Sequence, residues 1–144
     1  MKDFLWILFA VIIAVMPACH IATANTTDDA KNFFSSAEIK FGNNDVEGAL
    51  VDYSKAIELN PTFADAYNNR GSIKSDLGDI QGATADFAKA IEISPSFIPA
   101  YLNRAALKLD QSDKQGATAD LLQAAKLGSP EAQQWLKSNG ISKW

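Results

Sequence analysis

Reactive side chains are scarce in this sequence of 144 residues, which has one cysteine, Cys19, and one histidine, His20. Both lie in the apolar N-terminal segment, and a chain processed after Ala24 would contain neither. Their loss excludes cysteine–histidine and serine–histidine–aspartate nucleophilic sites, zinc sites built from cysteine and histidine, and intramolecular disulfides. The sequence therefore predicts a protein that is not an enzyme and that has no metal site, no cofactor and no small-molecule substrate.

Positive charge is also in short supply. The chain has 13 Lys and Arg against 17 Asp and Glu, a net charge of -4, and no run of basic residues. Nucleic-acid binding needs clustered cations to neutralise phosphates, so no nucleic-acid partner is expected. A chain of this length has room for one domain with a modest hydrophobic core.

Residues 1–24 have the pattern of a signal peptide or a membrane anchor. A continuous apolar run over residues 4–15 follows Lys2, and Ala22-Thr23-Ala24 has the small-x-small form of a signal-peptidase site. Cleavage after Ala24 predicts an exported protein in a periplasm, in a lumen or outside the cell.

Two alternatives to cleavage remain open from the sequence. The first is lipidation at Cys19, and the second is an uncut membrane anchor over residues 4–24, a segment about long enough to cross a bilayer. Either would tether the protein to a membrane. Residues 25–29 are predicted to be a polar linker to the rest of the chain.

A pattern of 34 residues recurs three times after this linker, with first positions at Ala30, Ala64 and Ile98. Each unit has the character of a helix, a turn near positions 14 to 16, and a second helix. The middle unit has aromatics at positions 4 and 24, small residues at 8, 20 and 27, glycine at 15 and proline at 32, namely Tyr67, Phe87, Gly71, Ala83, Ala90, Gly78 and Pro95.

This pattern resembles the tetratricopeptide repeat family. The resemblance implies an all-α fold, a helix-turn-helix α-solenoid, with units at 30–63, 64–97 and 98–129 and a capping helix and tail over 130–144. Small residues are expected where two helices cross closely. One unit cannot bury its own apolar face, so three stacked units and a cap are expected to share a continuous core.

Charged residues recur at three positions of the unit. Position 16 holds Asp45, Asp79 and Asp113, which are predicted to cap the second helix of each unit. Arginine recurs at position 7 and aspartate at position 23, and these predict ion pairs between neighbouring units, Asp52 with Arg70 and Asp86 with Arg104. Such bidentate pairs would fix how the units stack.

The resemblance implies that the first helices of the units line a concave groove. Asn69 and Asn103 share position 6, and a side-chain amide offers a donor and an acceptor to the backbone of an extended peptide. The alternative is that both are solvated polar residues. Six further residues are predicted to face outward or to add contacts in the groove: Asn68, Ser72, Phe34, Phe41, Leu102 and Leu109.

The function expected by family resemblance is a non-catalytic protein-protein interaction module, exported or tethered, that binds an extended segment of another protein. The alternative is a structural subunit that docks through its convex or terminal face and uses no groove. Some family members bind chaperone tails through a clamp of Lys, Asn and Arg, of which only Asn69 is matched here. Binding of chaperone tails is therefore not expected.

Overall fold

The computed structural model describes residues 26–144, so the predictions for residues 1–24 lie outside the described range. Within that range the chain forms three helical pairs and a final helix, and it contains no strand. The predicted all-α solenoid of three repeats and a cap is confirmed. The helices are α1 over 26–42, α2 Val46–Leu59, α3 Ala64–Asp76, α4 Ile80–Ile93, α5 Ile98–Asp110, α6 Lys114–Lys126 and α7 Pro130–Ser138.

The predicted linker is wrong for residues 26–29, which are already part of α1. Asp28 and Asp29 lie near the N-terminal end of this helix, where negative charge interacts favourably with the helix dipole. A polar composition therefore marked the start of a helix rather than a linker. Among residues 26–144, none of the helices is both long enough and apolar enough to cross a membrane.

The second helix of every repeat begins with the predicted aspartate cap. The carboxylates of Asp45, Asp79 and Asp113 each accept a hydrogen bond of 2.9 Å from a backbone N–H three residues later. These bonds satisfy amides that have no partner inside the helix. The prediction of three structural caps is confirmed.

In all three repeats the residue just before the capping aspartate has a left-handed backbone conformation. Gly78 has a φ of 81°, and the residues at the same position in the other repeats, Asn44 and Ser112, have φ values of 63° and 64°. A left-handed residue commonly ends an α-helix because it redirects the chain and lets the last carbonyls accept hydrogen bonds. The backbone geometry of the repeat is therefore kept where its glycine is absent.

The core lies between the helices of each pair and between neighbouring repeats. Ile73 of α3 packs with Ala37, Ala49 and Tyr53 of the preceding repeat, and only 2% of its surface is exposed. Leu136 of α7 is fully buried against the third repeat, with Trp135 and Ile141 packed beside it. The last helix therefore covers the apolar edge that the third repeat would otherwise expose.

Gly71 lies where α3 crosses α4. A Cβ atom built on Gly71 would be 2.9 Å from Cε1 of Phe87 and 3.2 Å from Cβ of Asp86. These separations are below normal van der Waals contact, so the close packing of the two helices depends on the missing side chain.

Candidate functional site

The arginine and aspartate side chains pair within a repeat, and the predicted pairing between repeats is wrong. Arg70 donates to Asp86 from Nε at 2.9 Å and from Nη2 at 2.7 Å. Arg104 bonds Asp120 in the same way, at 2.9 and 2.6 Å. Positions 7 and 23 face each other across the two helices of one repeat, so the partner of each arginine is the nearer aspartate.

A lysine joins each of these aspartates from position 11 of the first helix. Lys74 contacts Asp86 at 2.8 Å, and Lys108 contacts Asp120 at 2.8 Å. In the first repeat Lys40 contacts Asp52 at 2.6 Å, and Ser36 replaces the arginine as a second donor at 2.6 Å. All three aspartates are about 4% exposed, so each buried carboxylate has the charged partners that burial requires.

These contacts shift a pKa in each of the three repeats. The hydrogen bond from Lys40, and then that from Ser36, lowers the pKa of the Asp52 carboxyl below its ordinary value of 3.8. The hydrogen bond to Asp86 raises the pKa of Arg70, and that to Asp120 raises the pKa of Arg104. Each of these shifts favours the charged form of the group concerned, and the pairs account for the structural role predicted for Arg70, Arg104, Asp52 and Asp86.

The inner groove is the surface formed by α1, α3 and α5, and two of the pockets that the described residues form lie along it. The first, between α1 and α3, has a volume of about 340 Å³. Tyr53 and Ile73 form its floor, and Phe41, which is 46% exposed, stands at its rim. Its lining residues are Glu38, Phe41, Gly42, Tyr53, Asn69, Ser72 and Ile73.

The second pocket lies between α3 and α5 and has a volume of about 200 Å³. Its apolar surface comes from Phe87, Ala106 and Leu107, and two exposed carboxylates, Asp76 and Asp110, lie at its edge. Polar groups of Ser72, Ser75 and Asn103 complete the lining. Because Ser72 lines both pockets, they follow one another along the inner face of the solenoid.

A hydrogen-bond network of asparagines connects the two pockets. Asn69 donates from Nδ2 to the Tyr53 hydroxyl at 3.3 Å, and its Oδ1 accepts from Nδ2 of Asn68 at 3.2 Å. Asn103 donates from Nδ2 to Oδ1 of Asn68 at 2.9 Å and to Oγ of Ser72 at 3.2 Å. The network runs from α2 through α3 to α5 and holds the side chains of the groove in one arrangement.

The predicted groove residues divide between the surface and the interior. Asn69, Ser72, Phe41 and Asn103 line the pockets, as their helical positions suggested. The interpretation of Asn68 as an outward-facing residue is wrong, because Asn68 is 6% exposed and lies beneath the groove as the link between Asn69 and Asn103.

Three apolar residues that were predicted to add groove contacts pack into the fold. The Phe34 ring lies 4.8 Å from that of Phe63, stacked, and 5.5 Å from that of Tyr53, edge to face. Leu102 and Leu109 are half-buried against the core of the third repeat. Their positions on the helices did not distinguish these three residues from Phe41, which no neighbouring side chain covers to the same extent.

The groove residues predicted from the sequence do not include Tyr53, which lies at the aromatic position 24 of the first repeat and lines the first pocket. Tyr53 is only 2% exposed, but its hydroxyl accepts a hydrogen bond from Asn69. Burial raises the pKa of this hydroxyl, so it is neutral and able to donate a hydrogen bond. The sequence holds a sign of this polar role, because the residues at the same position of the other two repeats, Phe87 and Leu121, have no hydroxyl.

Comparisons with known proteins agree with the repeat pattern. Residues 37–78 match one model described as TPR repeat, and residues 64–97 match a second described as tetratricopeptide repeat. No curated protein matches the sequence. The two models together cover the middle repeat and most of the first.

Solved structures with the same fold have low sequence identity to this chain. The first TPR of Spaghetti (RPAP3), bound to the HSP90 peptide SRMEEVD, is 21% identical, with a TM-score of 0.72 and coverage of 79% of this chain and 92% of that one. The TPR domain of Arabidopsis OM64 is 24% identical, with a TM-score of 0.71 and coverage of 79% and 98%. The TPR2B domain of yeast Sti1, in a pHsp70 complex, is 24% identical, with a TM-score of 0.66 and coverage of 78% and 86%.

Proposed function

We propose that this chain, which belongs to the tetratricopeptide repeat family, is a non-catalytic module that binds an extended segment of another protein in its inner groove. The observation that carries the proposal is the row of two pockets along α1, α3 and α5, which share Ser72. An extended segment that crosses the helices would present successive side chains to the two pockets.

The exposed ring of Phe41 supports the groove as the binding surface. It stands beside a pocket of about 340 Å³ with an apolar floor, a setting in which a partner side chain would bury it. The RPAP3 and Sti1 domains, which share the fold, are solved with an HSP90 peptide and in a pHsp70 complex. Peptide binding is therefore an established use of this architecture.

A random peptide display library, selected against the full chain, tests the proposal. We expect enriched peptides that lose affinity by about tenfold or more when Phe41 is replaced by serine, because the largest exposed apolar contact of the first pocket is removed. The matched control is Leu77→Ser, which removes another exposed apolar side chain, 61% exposed, outside both pockets. Affinity is measured by fluorescence polarisation, and circular dichroism checks that both variants are folded.

An absence of enriched peptides would contradict the groove model. So would peptides whose affinity falls equally with Phe41→Ser and Leu77→Ser, because a groove site predicts an effect of the first variant alone.

The second candidate function, a structural subunit that docks through a terminal face, is favoured by one observation. Ile39 on α1 is 66% exposed, whereas Ile73 and Leu107, at the same repeat position, are each 2% exposed because a preceding repeat covers them. Val51 on α2 is also exposed. A partner that covers this end of the solenoid would bury both side chains.

The variant Ile39→Ser separates the two candidates. Terminal docking predicts that Ile39→Ser prevents co-purification of the native partner and that Phe41→Ser does not. Groove binding predicts the opposite result.

We also propose that the protein is exported, on the strength of the apolar run over residues 4–15 and the small residues at Ala22 and Ala24. Mass spectrometry of the N-terminus of protein purified from its native host tests this. A mature N-terminus at Asn25 supports export with cleavage, and a lipid-modified Cys19 or an intact Met1 supports a membrane tether.

A further inference from the structure

We infer that the groove selects a cationic segment, with a Lys or Arg side chain placed at the second pocket, between α3 and α5. The inference rests on the proposed function and names the chemistry of the partner. It follows from the groups that the groove leaves available to a ligand.

The polar hydrogens of the groove are largely turned inward. Asn103 uses its amide to donate to Asn68 and to Ser72, and the Ser72 hydroxyl donates to the backbone carbonyl of Asn68 at 3.1 Å. In the described part of the chain no hydrogen bond uses Oδ1 of Asn103. At the second pocket Asn103 therefore offers an acceptor and not the donor-acceptor pair that its residue type suggested.

Three exposed carboxylates add negative charge along the groove. Glu38 lines the first pocket, and Asp76 and Asp110 line the second. Within residues 26–144 none of the three takes part in an ion pair. Each is free to meet a positive charge supplied by a partner.

Helix stability does not account for the two aspartates. Asp76 is the last residue of α3 and Asp110 the last residue of α5, and a carboxylate is unfavourable at the negative end of a helix dipole. Most carbonyls of the last turns of α3 and α5 accept hydrogen bonds from the backbone that follows, so the negative potential here comes chiefly from the two carboxylates. The second pocket therefore combines an amide oxygen with the two carboxylates that end α3 and α5.

The cations of the same helices are directed elsewhere. The cations at positions 7 and 11 of the repeats form ion pairs with the buried aspartates on the second helix of the same repeat. These cations are Lys40, Arg70, Lys74, Arg104 and Lys108. Lys31 is the exposed lysine of α1, two turns before Glu38, and it does not line either pocket. A cationic segment meets complementary charge in this groove, and an acidic one meets repulsion.

The charge of the library peptides that depend on Phe41 gives the first test. We expect an excess of Lys and Arg over Asp and Glu, weaker binding at higher salt, and a loss of about fivefold in affinity when one such Lys is changed to Gln. The peptide SRMEEVD, which has three acidic residues, is the negative probe and is expected to bind more weakly than every enriched peptide.

A charge-matched pair of double variants gives the second test. Asp76→Asn with Asp110→Asn is expected to weaken the enriched cationic peptides by about fivefold or more, without loss of folding, since both residues are exposed. The control, Glu58→Gln with Glu92→Gln, removes the same net charge from exposed positions on α2 and α4 outside both pockets. It is expected to change affinity less than twofold.

The possible results distinguish the inference from the proposed function. Enriched peptides that need Phe41 but are acidic or neutral, or that bind the Asp76 and Asp110 variant unchanged, overturn the inference and leave the groove function standing. An absence of peptides that need Phe41 overturns both. Concentration-dependent dimerisation that Phe41→Ser abolishes would identify a second copy of the chain as the occupant and would also overturn the inference.

Discussion

The side chain of Arg70, on α3, joins three helices by bonding the Asp86 carboxylate on α4 and the Ser54 hydroxyl on α2. Two parallel hydrogen bonds of 2.9 and 2.7 Å bind it to Asp86 within its own repeat. Its Nη1 also donates to Oγ of Ser54 in the preceding repeat at 3.1 Å. The arginine therefore fixes the geometry of one helix pair and also contacts the preceding repeat.

Replacement of Arg70 by methionine should destabilise the protein by about 2 to 3 kcal/mol, because the buried Asp86 carboxylate would keep Lys74 as its one charged partner. Urea unfolding followed by circular dichroism measures the loss. The double variant Arg70→Met with Asp86→Leu should recover part of it, since no buried charge is left unpaired.

The exposed pair of Lys89 and Glu92, 2.8 Å apart, is the control for this prediction. Lys89→Met should leave the unfolding midpoint almost unchanged, since exposed ion pairs contribute little. An equal loss of stability in Lys89→Met and Arg70→Met would show that burial of Asp86 is not the cause.

Gly71→Ala should destabilise the protein by about 1 to 3 kcal/mol, although alanine favours helices more than glycine does. The new Cβ would lie 2.9 Å from the Phe87 ring, so α3 and α4 would have to separate. Gly42→Ala on α1 is the matched control, because its Cβ would meet no atom within 4 Å. This control should be neutral or stabilise by up to about 1 kcal/mol. Thermal unfolding of both variants tests the contrast, which fails if Gly71→Ala is the more stable.

Ser112→Gly should stabilise the protein by about 0.5 to 1 kcal/mol, since serine pays a steric cost at its φ of 64° that glycine avoids. Gly78→Ser should have the opposite effect of similar size. Asn44→Gly should change stability less than either, because asparagine tolerates the left-handed region. Differential scanning calorimetry of the three variants measures these changes in stability. A loss of stability in Ser112→Gly would contradict the prediction.

Asp52 should make stability depend on pH in the acid range. Its folded-state pKa is lowered, chiefly by Lys40, so its contribution is complete above the unfolded-state pKa of about 3.9 and is lost as pH falls through the lower folded-state value. Asp52→Asn should therefore be less stable than the natural protein at neutral pH, and the difference should shrink below about pH 4. Urea unfolding across this range measures it, and a difference that grows on acidification would refute the assignment.

Features set by local sequence were predictable. The aspartates before each second helix predicted their caps, and the three-fold recurrence of alanines and aromatics predicted the helical pairs. The partner of Arg70 was not predictable in this way. Asp52 and Asp86 lie at comparable distances in the sequence, 18 residues before and 16 after, and the crossing of the helices selects between them.

In the groove, too, helix packing decides what local sequence does not. Asn68 and Asn69 are adjacent and chemically identical, but one is buried and the other lines a pocket, because α5 covers one side of α3. Phe34 and Phe41 lie two turns apart on α1. Phe63, the residue just before α3, stacks on the Phe34 ring, and Phe41 stays exposed.

The sequence by itself determined the repeat, its caps and the positions of its small and aromatic residues, because these depend on contacts within one helical pair and recur with it. Only the tertiary structure decided which polar groups remain available to a ligand. Hydrogen bonds between Asn103 and Asn68, and between Lys or Arg and the buried aspartates, form when repeats and helices pack together. That packing removes donors and cations from the groove and leaves Asp76 and Asp110 exposed.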